Sequence, residues 1–167
     1  MQSVFVQSWG EYNNGRIVGA WLDLEDYMGD RDEFWADVME HTNNADEVMC
    51  ADWKSPISWS ESPCWDTVWA VQELLESPGN WSDTVRAYVD VHGVHYLPDN
   101  LYDLERAMES LVGCWERRED FGYDMAEGLE IPDRLQAYFD YDKYGRDLLF
   151  DYSHTEIDGT IYVFDNR

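Results

Sequence analysis

Tyr12-Asn13-Asn14-Gly15-Arg16-Ile17-Val18-Gly19-Ala20-Trp21-Leu22-Asp23-Leu24-Glu25-Asp26-Tyr27 sets a turn signal, an apolar strand and the start of an acidic run in direct succession. Asn14-Gly15 suits the φ > 0 backbone of a tight hairpin, because Gly has no Cβ to clash and Asn tolerates the left-handed region. Ser3-Val4-Phe5-Val6-Gln7-Ser8-Trp9 on one side and Ile17-Val18-Gly19-Ala20-Trp21-Leu22 on the other are rich in β-branched and aromatic residues. The stretch predicts an antiparallel hairpin over residues 1–22.

Behind it the charge density climbs. Asp23, Glu25, Asp26, Asp30, Asp32, Glu33, Asp37, Glu40, Asp46 and Glu47 stand against one base, Arg31, between positions 23 and 47. A helix is expected over residues 29–41, opening at Gly29 or Asp30 and closing at Asn43-Asn44, with His41 suited to its C-terminal dipole. On it Asp30, Glu33, Asp37 and Glu40 share one face, while Phe34, Val38, Trp35 and Met39 are available for burial. Carboxylates three or four apart lie roughly 4.5–6 Å apart along such an axis. That scale is comparable with duplex DNA, at about one charge per ~1.7 Å of axis over both strands.

The acidity is global. Asp and Glu number 36 against 11 Lys and Arg, a formal net charge of −25. Nine Trp, eleven Tyr and six Phe set the chain apart from disordered acidic polymers and supply a core. Like charges ~6 Å apart in water repel by roughly 0.7 kcal/mol before screening, and solubility alone needs about 2–8 net charges. The excess points to a strongly basic partner or to a halophilic setting. It runs the whole length: seventeen acids and three bases over residues 1–83, nineteen and eight over 84–167.

Residues 47–53 read as a third strand and the Ser/Pro-rich 54–63 as a loop. Trp65, Val68, Trp69, Gln72 and Leu75 follow at helical spacing, stopped by Ser77-Pro78-Gly79-Asn80. Ser82 is expected to cap the next helix, with Val85, Tyr88, Val89 and His92 on one side and Gly93 at C′. Asp99 or Asn100 opens a third, with Leu101, Leu104, Met108, Leu111 and Val112 inward and Gly113 interrupting it. Residues 117–128 form a fourth segment on Phe121, Met125 and Leu129. Pro132 is expected at the first position of another helical turn. Leu135, Tyr138, Phe139, Tyr141, Tyr144, Leu148 and Leu149 mark an aromatic helical pair, and residues 160–164 a closing strand after Asp158-Gly159. Segregated helices and strands make the fold class α+β.

Little chemistry is proposed by motif. His92 and His95 lack any C-x-x-C or H-E-x-x-H context, and Asp23-Leu24-Glu25-Asp26 lacks the Gly and closing Glu of an EF-hand. Among 36 acids, pairs at glycosidase spacing arise by chance. Cys50, Cys64 and Cys114 suggest no disulfide framework and are expected to be buried thiols, since a free Cys packs as a small hydrophobe. Arg117-Arg118, hemmed by Glu116, Glu119 and Asp120, is no phosphate-binding patch, so direct nucleic-acid binding is disfavoured. No metal, cofactor or catalytic residue is expected. With no signal-peptide pattern and no apolar run near ~18 residues, a soluble cytoplasmic protein is expected.

The opening stretch, from Tyr12-Asn13-Asn14-Gly15 through Gly19-Ala20-Trp21-Leu22-Asp23-Leu24, resembles the N-terminal signature of the ArdA antirestriction proteins. Leu111-Val112-Gly113-Cys114-Trp115 and the segment 117–127 are similar to that family's mid-chain pattern. Ile131-Pro132-Asp133, Tyr138-Phe139-Asp140-Tyr141, Tyr144-Gly145-Arg146-Asp147-Leu148 and Val163-Phe164 resemble its C-terminal part. Residues 55–100 match poorly, and Gly122 and Gly145 stand where Ala is usual.

The resemblance implies an elongated chain of three small domains: a β-rich N-terminal unit with the acidic helix (1–60), a helical middle (61–103) and an α+β unit (104–167). It implies a homodimer through the last, with Tyr138, Phe139, Tyr141, Tyr144 and Leu148 at the contact. It also implies a DNA mimic, carried by mobile elements into bacterial hosts, that fills the DNA channel of restriction-modification enzymes, mainly type I. The candidate mimic surface comprises Asp23, Glu25, Asp26, Asp30, Glu33, Asp37, Glu40, Asp46 and Glu47. Glu73, Glu76, Asp103, Glu105, Glu109, Glu116, Glu119 and Asp120 extend it. The alternative is an acidic interaction protein or chaperone that sequesters basic DNA-binding proteins.

Overall fold

The computed structural model describes residues 2–166. β1 (Ser3–Ser8) is the middle strand of an antiparallel sheet, and Ser8 ends it by turning its hydroxyl to the Glu11 amide. That cap starts α1 (Trp9–Asn13), after which the chain returns as β2 (Gly19–Asp23). The strands pair antiparallel, but the tight Asn14-Gly15 hairpin does not form. Gly15 takes φ +75° while Asn14 stays at −88°, and Ile17, read as strand, lies outside it and is 75 % exposed. A local serine cap outcompetes strand extension here. Gly19 is required where β2 meets β1, since a Cβ there would lie 2.0 Å from the Val6 carbonyl oxygen.

Asp30 caps α2 (Arg31–His41) by accepting from the Asp32 and Glu33 amides. Asn43 and Asn44, both left-handed, stop it. Phe34 and Val38 are fully buried; Trp35 and Met39, expected on the buried side, remain 37 % and 38 % exposed. β3 (Val48–Lys54) then completes the sheet, in the order β2-β1-β3. Val4 pairs with Leu22 and Trp53, and Val6 with Ala20 and Cys50, across a bulge between Phe5 and Val6. Alternation sends Val4, Val6, Leu22 and Cys50 to the buried face.

The helix α3 (Trp65–Glu76) packs onto that face through Val68 and Trp69. Phe34 sits at the centre, with the rings of Tyr27, Trp35, Trp65 and Trp69 at 5.0 to 5.4 Å. Edge-on aromatic pairs of this kind add roughly 0.5–1.5 kcal/mol each beyond burial. Gln2, fully buried, ties strand to helix and loop. Its amide donates to Gln72 Oε1, its Nε2 to the Val68 carbonyl, and its Oε1 accepts from Ser55 and Trp59.

The chain divides into two compact units: one up to Ser82 together with Val94–Ala107, the other Asp83–Gly93 with the chain from Met108 onward. α4 (Trp81–His92) begins one residue before Ser82, so that serine lies inside the first turn and is not its cap. Gly93, at φ +92°, ends the helix as C′. α5 (Leu101–Met108) opens on Asn100, whose Oδ1 accepts from the Asp103 amide.

In the second unit Leu111 and Val112, read as the inward end of α5, belong instead to β4 (Leu111–Trp115). α6 (Arg118–Ala126) follows, then the short α7 (Asp133–Gln136) and α8 (Tyr141–Leu148). Pro132 is the residue before α7, not its first position, and Leu129 is 49 % exposed. β5 (Ser153–Ile157), unanticipated, and β6 (Thr160–Phe164) form a hairpin across Asp158-Gly159. Both turn residues have positive φ, 51° and 83°, so the two-residue hairpin turn of this chain lies here. The sheet runs β4-β6-β5, with Leu111 opposite Phe164 and Cys114 opposite Tyr162.

Phe121, Leu149, Ile161 and Val163 form its core, flanked by Ala87, Ile157 and Phe164. α6 and α8 meet glycine on glycine: a Cβ on Gly122 would lie 2.1 Å from the Tyr141 carbonyl oxygen, and one on Gly145 2.2 Å from that of Arg118. The fold is α+β, with two small antiparallel three-stranded sheets. Among the described residues no helix is long and apolar enough to cross a membrane.

Candidate functional site

Every carboxylate singled out in the sequence reaches solvent. Asp23, Glu25, Asp26, Asp30, Glu33, Glu40, Asp46, Glu47 and Glu76 are exposed in the first unit, as are Asp103 and Glu105; Glu109, Glu116 and Glu119 are exposed in the second. Asp37, Glu73 and Asp120 are half-buried. Alternation along β2 turns Leu22 inward and Asp23 outward. The helical period of α2 likewise separates Phe34 and Val38 from Glu33 and Glu40.

Several of these groups are committed internally. Asp30 is a helix cap, and Asp37 accepts the Tyr27 hydroxyl at 2.7 Å. Burial first, then that hydrogen bond, raises the Tyr27 pKa and keeps the phenol a donor. Glu73 pairs with Arg31 at 2.6 Å, Glu76 accepts from Gln72, and Asp103 from Asn100. Arg117 is clasped by Asp120 at 2.6 Å and Glu119 at 3.2 Å, so the Arg117-Arg118 doublet is neutralised locally on that side.

The rest have no such partner. Among the described residues, ion pairs engage Glu11, Glu73, Glu119, Asp120, Asp142, Asp147 and Asp158. Asp23, Glu25, Asp26, Glu33, Glu40, Asp46, Glu47, Glu105, Glu109 and Glu116 are in none of them. Exposed carboxylates missed by the sequence reading, Glu61 and Glu156 among them, share this state, while Asp52 accepts from the Trp53 amide at 2.8 Å. Their signal was present only as composition, because loop and strand acids carry no helical period. Such an array attracts and orients cations; among the described residues no three His, Cys, Asp or Glu converge as a metal site requires.

The aromatic residues near α8 are brought together in part. Phe139 lies 4.9 Å from Tyr141 and 5.4 Å from Tyr144 between ring centres. Tyr138 is 85 % exposed, as is Phe150 at 84 %, while Leu148 packs against the Phe121 core. Of the thiols, Cys50 is buried and pushed up to about 12 by desolvation. Cys64 is exposed and held below the usual thiol range, chiefly by hydrogen bonding to the Thr67 side chain.

Fold and surface together define an acidic α+β protein whose aromatic cores hold a surplus of unpaired carboxylates out to water. The sequence model of ArdA, the antirestriction protein family, matches residues 4–163, and the chain belongs to that family. Comparison with curated protein sequences finds no match.

Proposed function

We propose that this antirestriction protein acts as a DNA mimic, occupying the DNA-binding channel of restriction-modification enzymes, mainly of type I, without catalysis. The observation that carries the reading is the set of exposed carboxylates without a cationic partner in both units, carried on strands, helices and the turns that join them. Lys and Arg in a DNA channel gain affinity largely by releasing counterions from phosphates. Carboxylates on a rigid frame offer comparable charge, and base readout is not imitated, so inhibition is broad across recognition sequences. In the same reading the protein acts in the cytoplasm of a bacterial host entered by mobile DNA. Two copies pair through a contact formed by Tyr138, Phe139, Tyr141, Tyr144 and Leu148.

Competition tests it. The protein and duplex DNA exclude each other on a type I methyltransferase core, and affinity falls steeply with salt, by roughly 10³–10⁵ between about 50 and 200 mM for six to ten phosphate-like contacts. Neutralising Glu25, Asp26, Glu33 and Glu40 together flattens that slope by up to about 3–4, while any one Asp→Asn change is nearly silent. Simultaneous binding with DNA refutes the mimicry. Equal binding to unrelated cationic proteins identifies a general acidic buffer instead.

A further inference from the structure

An open cleft of about 450 Å³ lies beside the N-terminal end of β3, lined by Trp9, Asp46, Glu47, Met49 and Glu61 among others. Two apolar side chains, Trp9 and Met49, lie among its acids. Met49 is buried, and Trp9 presents an indole that is 37 % exposed. Lys, Arg and His are absent from the lining, and among the described residues none of the three carboxylates is in an ion pair. The nearby Arg16 is engaged at 2.6 Å by Glu11.

The walls are fastened through the backbone. The Trp9 amide donates to the Glu47 carbonyl at 3.1 Å and the Cys50 amide to the Glu61 carbonyl at 3.0 Å. Ser8 caps the helix that carries Trp9, and Gln7 Nε2 reaches the Met49 sulfur at 3.7 Å. The backbone that carries indole, carboxylates and thioether is therefore set at the sheet edge before any partner arrives.

We propose that this cleft is a socket for an arginine side chain of the bound protein, its guanidinium over the Trp9 indole and its charge met by Asp46, Glu47 and Glu61. A guanidinium is planar, weakly hydrated and stacks on aromatic faces, which an ammonium does less well. The volume accommodates the methylene stem as well as the head, and Met49 offers that stem apolar contact. The inference rests on the reading that the partner is a basic protein surface. It adds a contact that a phosphate backbone lacks, and stacking on indole does not depend on counterion release. A part of the affinity is thus expected to survive high salt.

The test uses the full chain. Titration with N-acetyl-L-arginine amide shifts the Trp9 indole N–H resonance, N-acetyl-L-lysine amide shifts it less, and the uncharged isostere N-acetyl-L-citrulline amide leaves it in place. Trp9→Leu weakens arginine amide by about 2- to 5-fold, the span expected for an exposed cation–π contact, and Glu61→Gln by up to about 5-fold, that of an exposed ion pair. Because Trp9→Leu can disturb α1, Glu61→Gln at an exposed position serves as the second variant. On the methyltransferase core Trp9→Leu lowers the binding that remains at about 0.5 M salt more than binding at about 0.1 M, whereas Glu61→Gln, which removes an exposed charge that salt screens, lowers binding at about 0.1 M more. An equal response to citrulline amide, or variants that bind arginine amide and the enzyme as the parent does, overturns the socket and leaves the mimicry intact. Failure of the parent to displace DNA overturns the mimicry, while the amide titrations still decide the socket.

Discussion

Replacing Gly122 by Ala adds one methyl group on α6 where it faces α8. That methyl would lie 2.1 Å from the Tyr141 carbonyl oxygen, 2.8 Å from the Gly145 nitrogen and 3.0 Å from its Cα. All three obstacles are backbone, so no rotamer change relieves them; the helices must separate by on the order of 1 Å to restore normal contact. Ala is favoured over Gly inside a helix by about 1 kcal/mol, whereas overpacking a tight contact costs typically 1–3 kcal/mol and more where nothing yields. The steric effect wins, and Gly122→Ala is expected to destabilise by about 2 kcal/mol, or roughly 4–8 °C in Tm for a chain of this size.

Gly145→Ala meets the Arg118 carbonyl oxygen at 2.2 Å and should behave alike. Since one separation relieves both clashes, the double variant should cost less than the sum of the two. Gly128→Ala, with nothing within 4 Å, is the control. Urea unfolding followed at the Trp115 indole N–H resonance reads the second unit, since that ring is 4.8 Å from Phe121. A Gly122→Ala protein as stable as the parent, or more stable, refutes the close helix contact.

Gln2→Leu keeps the volume but strands the Ser55 and Trp59 groups and the Val68 carbonyl that bond to its side chain, and is expected to cost about 2–4 kcal/mol in urea titrations. His92, its ring 4.4 Å from Tyr88 and 5.9 Å from Phe164, has its pKa lowered by burial. Its contribution is therefore present above the unfolded value near ~6.5 and lost as pH falls through the lower folded value. Relative to the parent, His92→Phe should lose less stability between about pH 7.5 and 5; equal losses would contradict this. Ellman's reagent should modify exposed Cys64 well ahead of Cys50, which reacts only on unfolding.

Much was open to reading along the chain alone. The pairing of residues 3–8 with 19–23, the acidic α2 with its Asn43-Asn44 stop, α3, Gly93 at the end of α4, and the closing strand all follow from turn chemistry and apolar period, which are local. So was the α+β class. The antirestriction family was legible because its motifs lie in order near both ends, and the family match over residues 4–163 bears this out.

What only tertiary structure decided depends on partners distant in sequence. Leu111 and Val112 have a helical environment on paper, yet β6 pairs Leu111 with Phe164 and Gly113 with Val163, some fifty residues away, and draws the segment into a sheet. Asn14-Gly15 and Asp158-Gly159 look equivalent as dipeptides; the second becomes the tight hairpin because strands run right up to it, the first does not because Ser8 starts a helix. The two helix glycines carried no local signal of their purpose, since a close approach exists only once α6 and α8 are side by side. The same holds for Trp9, Glu47 and Glu61: charge and aromaticity are properties of the sequence, but a cleft is made by backbone bonds between residues that composition cannot bring together.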